Sequence, residues 1–218
     1  MRRFLLVLVL GCGVAVVWSE AAGAEKGVVE IPARQKDGPE VTVVFEAEDY
    51  LKITPVMELG TDNAKSKRGK DPDLHLASGG KYLEIPDGPE DRNPNLVSPD
   101  NETGSYHKEN RGGSAEYKLV CATPGDYYIW VRVWWSDGCG NSLKFSIDGS
   151  PPKVFTGKEG TYKVWQWAPI LPEGMNARPY HLSAGEHRFV LSHSEDGIKF
   201  DQIFITTDSK KVPQGIEH

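Results

Sequence analysis

Short strand-like segments separated by turn residues fill the sequence from Gly112 to Thr207. Several of them alternate apolar with polar side chains, and they are rich in β-branched and aromatic residues. The segments are Ala115–Cys121, Asp126–Trp134, Ser142–Ile147, Tyr162–Trp167, Glu186–Leu191 and Ile198–Ile205. With turns such as Thr-Pro-Gly-Asp between them, they predict an all-β fold, a two-sheet antiparallel sandwich. Because such scaffolds carry their function on end loops and on one sheet face, binding is the expected role.

The first 24 residues are typical of a cleavable export signal. Two arginines follow Met1, two apolar runs come next, and the small residues before Ala24 suit cleavage after that position. A lipoprotein signal is an alternative, in which Cys12 becomes the lipidated first residue. We expect a secreted, periplasmic or cell-surface protein, and no later segment approaches the about 20 apolar residues of a membrane span.

Composition favours one exported domain. Removal of the signal leaves 194 of the 218 residues, which is enough for a single sandwich with a sizeable core. The formal net charge is −6 and there is no basic stripe, so nucleic acid is not an expected partner. We divide the remainder into an N-terminal tether or irregular edge at 25–40, a domain at 41–208 and a polar tail at 209–218. The long Pro/Asn/Asp/Gly-rich segment at 87–113 is of the kind that is either functional or disordered.

Two cysteines, Cys121 and Cys139, follow the signal. An exported pair suggests a disulfide. However, they flank opposite ends of a predicted nine-residue strand, which spans roughly 30 Å, whereas bridged Cα atoms lie about 4.4–6.8 Å apart. We therefore predict two unpaired thiols.

An ordered series of motifs gives the chain a family resemblance. The motifs are Phe45-Glu-Ala-Glu48, Ala77-Ser-Gly-Gly80, Pro124–Arg132, Asn141–Gly149, Trp165, Leu182–His187 and Ile198–Ile203. In this order and spacing they resemble carbohydrate-binding modules of families 6 and 35, across roughly residues 41–208. The resemblance implies a β-jelly-roll with a structural calcium and a glycan site formed by loops.

Three carboxylates are candidate calcium ligands. Glu46 and Glu48 are two residues apart on a strand-like segment, so their side chains lie on one side. Asp201 lies within the last apolar strand, where an unpaired carboxylate would be costly to bury. A shared Ca²⁺ would remove that cost, since Ca²⁺ prefers oxygen ligands, and the resemblance implies this arrangement. The alternative is that Asp201 lies on a surface edge and both glutamates are solvated.

Aromatic residues in one loop are candidate sugar contacts, because aromatic rings stack on the apolar faces of sugars. The resemblance places Tyr162 and Trp165 in the sugar cleft, although core packing is an equal alternative for Trp165. Lys199 occupies a position that is commonly Asn in the family, which favours an acidic sugar or indicates a lost site. Tyr106, within the long segment, could cover or rebuild the cleft.

These features predict an exported, non-catalytic carbohydrate-binding module that recognises a polysaccharide or oligosaccharide. A glycan-active enzyme is its expected partner protein. Catalytic motifs are missing from the sequence: the histidines lack metal spacing and there is no Gly-x-Ser-x-Gly elbow. Two alternatives stay open. One is a structural or adhesive cell-surface protein with the same fold, and the other is a glycan-active enzyme.

Overall fold

The computed structural model describes residues 25–35, 37–61, 76–86, 113–157, 160–170 and 179–218, together with the backbone of 4–10 and 13–19. Tyr106 and most of the long segment that contains it lie outside these residues. So does Cys12 of the lipoprotein alternative. Among the described residues, no helix has the length and apolar character needed to cross a membrane.

The described residues form fifteen strands and one 3₁₀ turn, Ser78–Gly80. The strands are β1 Phe4–Leu10, β2 Gly13–Ser19, β3 Val28–Ile31, β4 Thr42–Glu46, β5 Lys52–Thr54, β6 Glu58–Thr61, β7 Lys81–Ile85, β8 Ser114–Cys121, β9 Gly125–Trp134, β10 Ser142–Ile147, β11 Lys153–Thr156, β12 Trp165–Ile170, β13 Tyr180–Leu182, β14 Gly185–His193 and β15 Ile198–Thr206.

Two sheets make the sandwich. The six-stranded sheet has the order β11-β10-β14-β8-β3, with β5 also paired to β8. The seven-stranded sheet has the order β12-β9-β15-β7-β6, with β13 on β9 and β4 on β15. All of these pairs are antiparallel except β3 with β8. The predicted two-sheet antiparallel sandwich is confirmed, while β1 and β2 pair with each other in a hairpin of their own.

The core lies between the two sheets, where alternating side chains of each strand meet. In β8, every second residue from Ala115 to Cys121 is buried and the intervening ones are partly exposed. Tyr117 bridges the layers: its ring lies 5.4 Å from that of Phe45 on β4 and 6.0 Å from that of Phe189 on β14. Its hydroxyl donates to the carbonyl of Ala47 at 2.7 Å, which satisfies a polar group that would be costly to bury alone.

The opposite surface of the seven-stranded sheet, here called the outer face, is also largely covered. All nine residues of β15 are buried, so this strand is enclosed on both faces. Trp134 and Trp135 at the end of β9 point to opposite faces, as their adjacency predicts. Trp135 joins the main core, whereas Trp134 joins a second cluster on the outer face with Ala77 and Tyr82.

The segment at 25–40 is partly a strand rather than a tether. β3 pairs in parallel with β8 at the edge of the six-stranded sheet, and both Val29 and Ile31 enter the core. The edge alternative for this segment therefore fits β3. Its alternation is short, and a parallel partner 90 residues away is not visible in the local sequence.

The two thiols are unpaired, as predicted. Cys121 is buried at the end of β8 and Cys139 is exposed in the loop after β9. Burial raises the pKa of the Cys121 thiol, and Tyr127 is its hydrogen-bonding neighbour. Cys121 is therefore a small core residue rather than a reactive group.

A buried histidine connects two turns through hydrogen bonds. His187 Nδ1 lies 2.6 Å from a carboxylate oxygen of Asp148, and its Nε2 lies 2.9 Å from the carbonyl of Ser183. Neither acceptor carries a proton, so both ring nitrogens must donate, and the imidazole is held as the cation. Ser183 Oγ lies 3.3 Å from Nε2, so Ser183, His187 and Asp148 contact one another in the Ser-His-Asp sequence of a hydrolase triad. However, an imidazolium that already carries both protons cannot accept one from that hydroxyl.

The His187 contacts predict pH-dependent stability. Burial lowers the pKa of His187, but the bonds to Asp148 and Ser183 outweigh that effect, so the pKa is raised above its ordinary value of 6.5. The stabilisation is then complete below about pH 6.5 and is lost as the pH rises through the folded-state pKa. We expect His187→Gln to lower the free energy of unfolding by about 1–3 kcal/mol at pH 5, and by less at pH 9, in urea titrations.

His181→Gln is the matched control, because its side chain is 74% exposed beside Asp126 and exposed pairs contribute little. A loss at His187→Gln that is the same at pH 5 and pH 9 would contradict the charged-histidine interpretation.

Candidate functional site

One cross-strand row of side chains runs over the outer face of the seven-stranded sheet. In register order the row is Trp165, Trp134, Lys199, Glu84 and Glu58, on β12, β9, β15, β7 and β6. The Lys199 ammonium lies 4.2 Å from the centre of the Trp134 ring and 3.9 Å from a Glu84 oxygen. The row therefore passes from aromatic residues at one edge of the sheet to acidic residues at the other.

The aromatic end of this row is a packed cluster. The Trp165 ring is half-buried and lies 6.0 Å from that of Tyr82, and both contact Trp134. Gly60 on β6 makes room for the Tyr82 ring, since a Cβ at that position would lie 2.0 Å from it. Trp165 is therefore fixed by packing against Tyr82 and Trp134, and its side chain stays partly exposed to solvent.

A buried ion pair lies beside the cluster. β15 has an irregularity between Phe200 and Ile203, and Asp201 in it forms a salt bridge with Arg132 of β9. The Asp201 carboxylate also accepts the backbone N–H of Ser78 at 3.0 and 3.1 Å. Arg132 also donates to the carbonyl of Leu76 at 3.1 Å, and its guanidinium carbon lies 5.1 Å from the Trp165 ring centre. The pair links the 3₁₀ turn, the last strand and the aromatic cluster.

Two glutamates lie next to this pair. Glu46 Oε1 accepts hydrogen bonds from Ser78 Oγ at 2.8 Å and from Gln202 Nε2 at 3.0 Å. The other oxygen of Glu46 and Oε2 of Glu48 are buried with no hydrogen-bond partner. Burial raises the pKa of Glu48 to about 7, and the charges of Glu46, Asp49 and Asp201 add to that rise.

The structure revises the reason for placing a metal ion at Asp201. Burial raises the pKa of this carboxyl to about 7, while Ser78 and Arg132 act to lower it. The buried carboxylate that the sequence suggested would need Ca²⁺ instead has the Arg132 guanidinium as its ion-pair partner and the Ser78 N–H as a hydrogen-bond donor. In the described part of the chain, no group of three or more His, Cys, Asp or Glu residues is arranged to hold a metal ion. Glu46 and Glu48 retain unsatisfied oxygens that fit a cation, whereas Asp201 does not fit as a third ligand.

The predicted sugar contacts do not all lie together. Trp165 and Lys199 both contact Trp134 on the outer face, but Lys199 is only 6% exposed. Tyr162 instead packs against the main core, and its hydroxyl accepts from Asn141 Nδ2 at 3.5 Å. Tyr106 lies outside the described residues.

Sequence reasoning did not single out Arg132 and Gln202 as site residues, and it left Trp167 out of the candidate sugar contacts. Arg132 precedes Trp134 by two residues in a strand, so alternation alone would have put both on one face. Trp167 shares its face with Trp165, and its ring packs 5.9 Å from that of Phe204. Gln202 gave no sequence signal, because its position depends on the irregularity in β15.

The comparison with curated proteins finds a distant relative. No protein-family model matches the sequence. A protein of Formosa agariphila described as uncharacterized protein P23 is 28% identical over 198 residues, covering 82% of this chain. The match covers 46% of that protein, so the chain spans about half the length of the curated relative it matches.

The solved structures to which this chain is similar include enzymes and isolated modules. The exo-beta-1,3-galactanase of Phanerochaete chrysosporium has a TM-score of 0.47 and 14% identity, covering 75% of this chain and 29% of that chain. The C-terminal CBM6 of LamC, a marine laminarinase of Zobellia galactanivorans, has a TM-score of 0.45 and 18% identity, covering 76% and 98%. A family 35 carbohydrate-binding module of Clostridium thermocellum has a TM-score of 0.43 and 17% identity, covering 75% and 96%.

The two module families among these structures are the ones that the ordered sequence motifs resemble. With TM-scores below 0.5, these likenesses do not by themselves establish the fold of this chain. The two-sheet sandwich itself is established by the strand pairing of this chain.

The raised pKa of Glu48 predicts an effect of pH on stability. Because the folded-state pKa of about 7 exceeds the ordinary 4.5, the folded state binds more protons between these values. Stability conferred by the neutral carboxyl therefore falls as the pH rises from about 4.5 to about 7. In chelator at pH 8, we expect Glu48→Gln to raise the free energy of unfolding by about 1–3 kcal/mol, and at pH 4 to leave it unchanged.

Glu30→Gln, at an exposed position of β3, is the matched control for charge removal. Destabilisation by Glu48→Gln at pH 8 without metal would show that the Glu48 carboxylate has partners other than those described here.

Proposed function

We propose that residues 41–208 form a non-catalytic carbohydrate-binding domain whose ligand is a polysaccharide or oligosaccharide. The observation that carries the proposal is the half-buried indole of Trp165, held from behind by Tyr82, Trp134 and the Arg132 guanidinium. A ring held in this way loses little conformational freedom when a sugar stacks on it, which lowers the entropic cost of binding. The ordered family 6 and family 35 motifs support the same role.

The charges on the outer face favour a neutral glycan. Lys199 is packed on Trp134 with Glu84 nearby, and Arg132 is paired with Asp201. Both cations, Lys199 in the row and Arg132 beside it, therefore already have acidic partners within the protein. Since the far end of the row ends in Glu84 and the exposed Glu58, an acidic polysaccharide would meet negative charge there. We therefore replace the acidic-sugar alternative for Lys199 with a neutral ligand.

We propose export on the basis of the charged, apolar and small-residue pattern of residues 1–24. N-terminal sequencing of the secreted protein, expected to begin at Glu25, tests it; a protein that retains its first residues would contradict cleavage. An exported glycan-binding domain could work beside a glycan-active enzyme, which we propose as its functional partner.

We also propose that Glu46 and Glu48 hold a structural Ca²⁺. Each has a buried carboxylate oxygen with no hydrogen-bond partner, and Ca²⁺ is a hard cation that takes such oxygens. When bound, the ion would neutralise two neighbouring carboxylates and so remove the repulsion that adds to the effect of burial on the pKa of Glu48. Asp201 stays with Arg132 in this arrangement.

The glycan proposal predicts a selective effect at Trp165. We expect Trp165→Ala to reduce retention by neutral polysaccharides at least tenfold in affinity gels, because the stacking surface is lost. The free energy of unfolding should fall by only about 1–3 kcal/mol, as the side chain is half-buried. Retention should change little between low and high salt, since a neutral ligand makes no ion pairs.

Val164→Ala is the matched control, because this neighbour is 43% exposed and lies outside both core clusters. Tyr162→Ala tests whether the sugar binds at the loop that contains Tyr162. Loss of binding in this variant, with normal binding by Trp165→Ala, would place the site at the loop rather than on the outer face. If no polysaccharide in a broad neutral and acidic panel retains the wild-type protein, the carbohydrate proposal fails and a surface-interaction role replaces it.

The calcium proposal predicts a metal-dependent melting temperature. Saturating Ca²⁺ should raise Tm at pH 8, because an ion that binds only the folded state stabilises it. Glu48→Gln should remove this rise, whereas the exposed Glu30→Gln should keep it. Identical melting curves of the wild-type protein in Ca²⁺ and in chelator would rule out a stabilising site.

A further inference from the structure

The chain returns across the outer face after β15. Residues 212–217, here called the strap, meet two side chains of the seven-stranded sheet. The Gln202 amide contacts Glu217 twice, with Nε2 donating to its carbonyl at 3.0 Å and Oε1 accepting its N–H at 3.2 Å. Trp167 Nε1 donates to the carbonyl of Gly215 at 3.0 Å. The strap therefore occupies polar groups of the outer face through its backbone.

The Gln202 amide that binds the strap also binds Glu46 and Ser78. Gln202 is fully buried, and its Nε2 lies within reach of Glu217 O, Glu46 Oε1 at 3.0 Å and Ser78 Oγ at 3.3 Å. An amide nitrogen has two hydrogens for these three acceptors. When Glu217 leaves, Glu46 and Ser78 can take both hydrogens, so release of the strap leaves no donor of this amide unsatisfied.

Burial of apolar side chains adds little to the stability of the docked strap. Val212 is 54% exposed and Ile216 is 37% exposed, and only Pro213 of the strap is buried. A segment held by a few hydrogen bonds, with two of its three apolar side chains exposed, belongs to the low-stability end of a structure. It can open without disturbing the sandwich core.

We propose that the strap alternates between a docked and a released state, and that the docked strap blocks part of the glycan-binding surface. This inference rests on the proposed carbohydrate function. Trp165 and Trp167 are two residues apart on β12 and share the outer face, so release would add a second indole beside the first. The freed Trp167 N–H and Gln202 Oε1 could then meet sugar hydroxyls, which both donate and accept hydrogen bonds.

The size of the effect follows from the docked fraction. If only the released state binds fully, the apparent affinity is reduced by the fraction of molecules that are released. A strap docked about nine-tenths of the time lowers affinity about tenfold. The ligand and the strap therefore compete for the same face.

Two variants of the full chain test this. Glu217→Pro removes the N–H that Gln202 accepts, whereas Glu217→Gln keeps both the N–H and a side-chain acceptor for Gln214. We expect hydrogen exchange at the Trp167 indole to be at least tenfold faster in Glu217→Pro and unchanged in Glu217→Gln. Retention by the polysaccharide that binds wild type best in the panel above should rise about three- to tenfold in Glu217→Pro alone.

The outcomes separate the two proposals. If the wild-type Trp167 indole is as strongly protected from exchange, relative to its intrinsic rate, as the core amide of Phe204, the strap opens only with global unfolding and the inference is overturned. Faster exchange in Glu217→Pro with unchanged retention would also overturn it. If no polysaccharide retains either protein, the carbohydrate proposal fails and glycan blocking fails with it, while exchange still decides whether the strap opens independently.

Gly215→Ala is a second route to release if Glu217→Pro does not fold. Gly215 has a φ of +62°, where a side chain is strained, and a Cβ there would meet no atom within 4 Å. The added methyl group therefore disturbs the strap backbone and leaves the sheet untouched. It should reproduce the faster exchange and the stronger retention, and a properly folded variant with wild-type values for both would count against the strap.

Discussion

The ion pair between Arg132 and Asp201 is the interaction on which the outer face depends. Arg132 is 5% exposed and Asp201 is fully buried, so neither charge can be compensated by water. Removing one partner of such a pair typically costs about 3–5 kcal/mol, because the other charge is left buried and uncompensated. The same two side chains hold the 3₁₀ turn through Ser78 and lie against Trp165. The pair therefore connects the aromatic cluster to the 3₁₀ turn and to β15.

The pair also shapes the chemistry of the neighbouring carboxylates. Arg132 compensates Asp201, but Glu46 and Glu48 each keep a buried oxygen without a partner. Gln202 offers its amide to Glu46 and, at the same time, to the strap. The buried ion pair, the candidate cation site and the strap that we propose to cover a glycan-binding surface thus meet within a few residues of β15. A substitution at Glu46, Gln202 or Glu217 is therefore expected to affect the contacts of the other two residues.

Most of the sandwich could be predicted from the sequence, because strand alternation and turn residues are local signals. The alternation in β8 and the apolar run of β15 both appear as expected. The strand β3 was harder to predict, since it is short and pairs with a strand far along the chain. Of the candidate sugar contacts, Trp165 and Lys199 meet at Trp134, whereas Tyr162 packs on the main core. Calcium binding stays a prediction.

The sequence by itself determined the all-β class, the unpaired cysteines and the presence of an acidic residue within the last strand. Only the tertiary structure decided which cation meets that residue, because Arg132 and Asp201 are 69 residues apart and become neighbours through the pairing of β9 with β15. The docking of Glu217 on Gln202 likewise depends on the irregularity in β15. Local patterns specify which face a side chain takes, whereas its partner across a sheet depends on how distant strands align.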